Sequence, residues 1–168
     1  MSTESEKTIL IKLNALEGQF QQLDNDFRFV NHKYSQLLIS LNSLTELSTE
    51  AAQRAASAAS KAAVAAKKAA ETARIAAYES ISMAAQEAAG TAADAAEAAI
   101  EAAAASAAAA ATALYATHQI HEKTLQNSKE SAEATRLATE SAAIAVRLSN
   151  QAAVYAKAAK EKSTNALL

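Results

Sequence analysis

Few residues in this chain have side chains capable of chemistry. His118 and His121, three apart and followed by Glu122, are its best-spaced donor group. On a helix, positions i and i+3 share a face, so two imidazoles there could grip one metal ion from one side. A stable site needs a third or fourth ligand, and neither the distant His32 nor any cysteine supplies one. That stretch is therefore expected to be polar, solvated and close to a turn, with no metal and no cofactor bound. Serines are plentiful, but none sits in a glycine-framed elbow and no Ser–His–Asp set follows from spacing. No glycine-rich loop is present to cradle a phosphate. Asp94 and Glu97 read as ordinary helix-surface acids, and Lys67-Lys68 is too short a basic run to recruit nucleic acid. The sequence predicts no catalytic residue and no enzyme.

Helices must position whatever these residues do. The 168 residues include two glycines, no proline, no tryptophan, no cysteine and only 4% aromatic side chains. Sandwiches, barrels and α/β folds need many turns, and turns lean on Gly and Pro for their backbone angles. Zero Cys removes disulfides, thiolate nucleophiles and Cys-ligated metal centres. Hydrophobic residues make up 51% of the chain, yet between positions 51 and 120 alanine alone fills 36 of 70. Alanine is the best helix former and buries little area. The fold class read from this is all-α: long alanine-rich helices packed as a coiled coil in one elongated domain over residues 1–168.

Segment 9–47 carries the clearest pattern. Ile9, Leu13, Leu16, Phe20, Leu23, Phe27, Val30, Tyr34, Leu37, Leu41 and Leu44 are spaced alternately four and three apart. A repeat of 3.5 residues sustained over five heptads predicts a supercoiled seam against another helix. Residues 13, 16, 20, 23, 27, 30, 34, 37, 41 and 44 are the predicted oligomer interface. The same spacing continues into the alanine-rich segment 51–116 through Ser48, Ala51, Ala55, Ala58, Ala62, Ala65 and Ala69, with small knobs that allow close helix approach. Unbroken phase argues against a turn near 48, although Thr45 and Thr49 could cap a helix there.

Gly90 is the predicted hinge. It precedes Thr91-Ala-Ala-Asp94, a capping-box-like pattern, so Gly90 would stop one helix and Thr91 start the next in an αα-hairpin rod. Gly18 reads as carried inside a continuous helix. Folding at 90 lays 9–47 against the mixed amphipathic helix 131–168, and alanine against alanine between 51–89 and 92–116. The stretch 117–130 is an expected polar break, because residues 121–130 contain no alanine. Breaks near 48, 90 and 127 would give the alternative, an up-down four-helix bundle.

Charge runs in blocks: −3 over residues 1–50, +4 over 51–74, −6 over 75–122 and +3 over 123–168, for a net −2. So small a total recruits neither nucleic acid nor acidic ligands by its field. The start of the chain has no secretory-signal pattern, and Ala102–His121 is a poor membrane span because it is mostly alanine. A cytoplasmic protein, or one exported without a cleavable signal, is expected.

Helices that bury so little ask for partners, and identical chains are the simplest supply. The leading expectation is a structural protein that self-associates into an oligomer or filament through the Leu/Phe seam. The alternative is an amphipathic helical protein coating a membrane, lipid or granule surface in the general style of phasin-like proteins, without any motif of that family. Residues 91–116 resemble alanine-rich helical antifreeze sequences in composition, which would imply ice binding or desiccation protection. Their expected 11-residue threonine spacing is absent, since Thr91 and Thr112 are 21 apart. An exported helical effector is a further minor reading.

Overall fold

A computed structural model describes residues 2–117 and 122–165. Three long helices account for it: α1 (Ser2–Tyr78), α2 (Ser82–Thr117) and α3 (Glu122–Asn165), with no strand among the described residues. The chain is all-α, as its composition requires. It divides into two compact units, Met1–Leu41 and Asn42–Leu168.

The first unit is a helical stretch bearing the Leu/Phe seam. The second is a three-helix bundle with a core made almost wholly of alanine. Ala63 and Ala66 cluster with Ala96, Ala99, Ala142 and Ala145. Further along, Ala70 and Ala73 meet Ala92 and Ala152, and Ala77 meets Ala85 and Ala159. Positions rise along α1, fall along α2 and rise along α3, so α2 is antiparallel to both neighbours and α3 runs parallel to α1. Every seventh residue is completely covered: Ala52, Ala59, Ala66 and Ala73 on α1, Ala85, Ala92 and Ala99 on α2, and Ala138, Ala145, Ala152 and Ala159 on α3. The core of each helix thus repeats every seven residues, with methyl groups as its only side chains at these positions.

The reversal between α1 and α2 falls at 79–81 and not at Gly90. Ile81 N–H donates to Ala76 O at 2.8 Å and Ser80 N–H to Ala77 O at 3.4 Å. This bond pair defines a Schellman motif, which here carries Ser80 at φ 62° where glycine is usual. Gly90 and Thr91 lie inside α2. A glycine in a helix interior costs only about 1 kcal/mol, which a packed helix tolerates. Thr91 does not cap a helix; its hydroxyl donates back to Glu87 O at 3.0 Å. The predicted pairing about residue 90 is corrected accordingly: alanines 63–77 of α1 face 85–99 of α2. No break occurs near 48, because α1 is continuous there, and residues 122–130 of the expected polar break form the first turns of α3.

One of the two positions of the seam's continuation holds, with Ser48 and Ala69 buried and Ala55 and Ala62 half-buried, and the other is corrected by one residue. Ala51, Ala58 and Ala65 are exposed, while Ala52, Ala59 and Ala66 are buried. The alanines come in adjacent pairs, so the pattern admits two phases one residue apart, and only packing against α2 and α3 selects between them.

Candidate interaction surface

Most of the described large apolar side chains lie outside the buried core, while Val146, Leu148 and Tyr155 pack against it half-buried. Ile9, Leu13, Leu16, Phe20, Leu23, Phe27, Val30, Tyr34 and Leu37 are each 58–68% exposed; Leu44 is 44% exposed and Leu41 half-buried. Helix α1 aligns them because a 3.5-residue spacing keeps them on one stripe as the helix turns. Phe20, Leu23, Asp24 and Phe27 bound a depression of about 320 Å³ on that stripe. Polar groups flank the stripe: Arg28 Nε lies 2.9 Å from Asp24, and the Lys33 ammonium sits 5.6 Å from the Phe29 ring centroid. Exposed pairs of this kind stabilise weakly and keep a helix surface solvated.

A second candidate surface lies within the bundle, in an open groove of about 640 Å³ between α1 and α3. Gln53, Ser57 and Ser60 line one side, and Glu133, Leu137 and Ser141 the other. Arg136 donates to Glu133 at 2.6 Å and also pairs with Glu140. The Arg136 hydrogen bond holds the Glu133 carboxyl below its ordinary value, and the carboxylates raise Arg136. A depressed carboxyl stabilises the fold above its unfolded pKa and loses that contribution as pH falls through the folded one. These groups are solvent-exposed.

The third concentration of polar side chains is buried, at the end of the bundle where α3 begins. The Ser106 hydroxyl lies 3.2 Å from Ala52 O and 3.3 Å from the Thr135 hydroxyl, and Thr135 donates to Ser106 O and Ser131 O at 3.2 and 3.0 Å. Thr49 bridges Thr45 O at 2.9 Å and Asn127 O at 3.2 Å. These bonds tie all three helices together at one level. Two buried atoms there, Ser131 Oγ and Asn127 Nδ2, find no hydrogen-bond partner among the described residues.

His118 and His121 lie outside the described residues. Among those described, no three His, Asp or Glu side chains come together as metal ligands. The apolar stripe lies on α1 as its spacing requires, whereas the turn at Ser80 and the polar layer were not anticipated from sequence. A faint signal existed for the turn, since Tyr78–Ser82 interrupts the alanines. By length and composition, residues Ser82–Tyr115 could cross a membrane, although alanine supplies most of their apolar character. No protein-family model, curated protein or solved structure matches this chain.

Proposed function

We propose that this protein is a non-enzymatic assembly protein whose Leu/Phe seam on residues 9–44 joins it to further copies of itself, in an oligomer or filament. The observation that carries this reading is a five-heptad stripe of large apolar side chains that the chain leaves exposed while it buries alanine. Soluble proteins seldom leave so continuous a stripe uncovered, because burying one Leu or Phe contributes about 1.5–3 kcal/mol. A helix of this kind also gains little stability alone, since an isolated helix is marginal in water. Partner helices supply both the burial and the ordering.

Sedimentation of the wild-type chain and of Phe27→Asp tests the proposal. The wild type is expected at a multiple of its 17.4 kDa mass, and Phe27→Asp at the mass of one chain, because a carboxylate in the seam cannot be desolvated cheaply. A variant that keeps the wild-type mass overturns it. Coating of a lipid surface is the second reading, favoured by the apolar composition of α2. It predicts a wild-type monomer that gains vesicle binding.

A further inference from the structure

We infer that the seam pairs with a second copy of the same segment, antiparallel and offset so that Phe27 of one chain faces Val30 of the other. This rests on the self-association proposed above and adds its orientation, register and stoichiometry. Bulk is the first argument. One core position of the heptad holds Phe20, Phe27 and Tyr34, whereas the other holds only aliphatic side chains. A parallel, in-register pair stacks each position on itself, giving three thick aromatic layers among thin aliphatic ones. An antiparallel pair sets one position against the other, so Phe20 meets Leu37, Phe27 meets Val30 and Tyr34 meets Leu23. Layers of matched bulk are what dense packing requires.

Charge then selects the register. Sliding the helices until Phe27 faces Leu23 sets Asp26 on Asp26 and Asp24 on Asp24 across the two-fold axis. Sliding them a further heptad the same way sets Lys12 on Lys33 and Glu17 on Asp24. The Phe27–Val30 register instead places Asp26 opposite Lys33 twice and Asp24 opposite Asn31, all on exposed flanks. Only Ile9 of the seam is left without a layer. The depression bounded by Phe20, Leu23, Asp24 and Phe27 then receives Tyr34 of the second copy, whose ring fills the apolar hollow and whose hydroxyl meets the Asp24–Arg28 rim. An antiparallel pair uses the same surface on both chains and closes at two, leaving no seam for growth.

The native chain has no cysteine, so single-cysteine variants report pairing cleanly. With oxidised glutathione, a mixture of Leu13→Cys and Leu44→Cys chains is expected to give a disulfide-linked heterodimer, and neither variant alone should cross-link. Self-linking of either variant, or linking of Leu13→Cys to Leu37→Cys instead, overturns this register while leaving self-association intact. A wild-type monomer in sedimentation overturns both proposals. If core cysteines weaken the pair, the flanking charges give an independent reading. Asp26→Lys is expected to weaken dimerisation about tenfold, and adding Lys33→Asp to restore it. Equal affinities for the wild type, the single and the double variant overturn the register, because residues 26 and 33 do not meet in a parallel pair.

Discussion

Ser131 and Ser106 each fall seven residues from a fully buried alanine, Ala138 and Ala99, and both are fully buried, yet their hydroxyls face different circumstances. Ser106 reaches Ala52 O and Thr135, whereas Ser131 Oγ has no partner among the described residues. A buried hydroxyl without a hydrogen bond costs roughly 1–3 kcal/mol, while a satisfied one contributes about 1 kcal/mol. Ser131→Ala is therefore expected to stabilise the bundle by about 1 kcal/mol, because Thr135 bonds the Ser131 carbonyl and keeps that bond. Ser106→Ala should destabilise it by a similar amount. Urea midpoints at unchanged slope measure both; a loss of stability in Ser131→Ala would mean that its hydroxyl is satisfied in solution. Neither serine could be assigned from sequence, since a small polar residue fits an alanine-rich surface as well as an alanine-rich core.

At the scale of elements, helix content follows directly from residue types, but the place where the chain turns does not. Composition pointed to Gly90, and the turn formed instead at Ser80, a non-glycine residue at φ 62°. The core explains the choice. Ala77 and Ala85 both join the last alanine cluster, and a reversal between them keeps the heptads of α1 and α2 in layers. A bend at 90 would shift that pairing. Left-handed backbone costs a non-glycine residue roughly 1–2 kcal/mol. Ser80→Gly removes most of that cost without disturbing the Ile81–Ala76 and Ser80–Ala77 bonds, so the expected gain is about 1 kcal/mol. A thermal melt in which Ser80→Gly unfolds no later than wild type would count against the Schellman turn. Gly90 lies inside α2, and a Cβ added there meets nothing within 4 Å.

Across the whole molecule the fully buried apolar residues described are alanines of the second unit, whereas most leucines and all phenylalanines of the first are exposed. The two units are accordingly expected to differ in local stability. Amide exchange should be slow at Ala59, Ala92 and Ala145 at every concentration, because the chain itself buries them. Exchange at residues 13–37 should be fast at low protein concentration and slow as the seam is covered, since association stabilises only the associated state. Concentration-independent protection of residues 13–37 would show that self-association does not order them.

The residue list alone determined the helical class, the heptad stripe at 9–44 and the scarcity of glycine and proline, because propensity and periodicity are local properties. Tertiary structure decided the position of the reversal, the parallel placement of α3 beside α1 and the buried phase of the alanines. The physical reason is visible at positions 51–52, 58–59 and 65–66. Each is a pair of identical methyl side chains, so sequence offers two equivalent core faces. Only contact with Ala99 and Ala145 on the neighbouring helices buries Ala66 and leaves Ala65 in water.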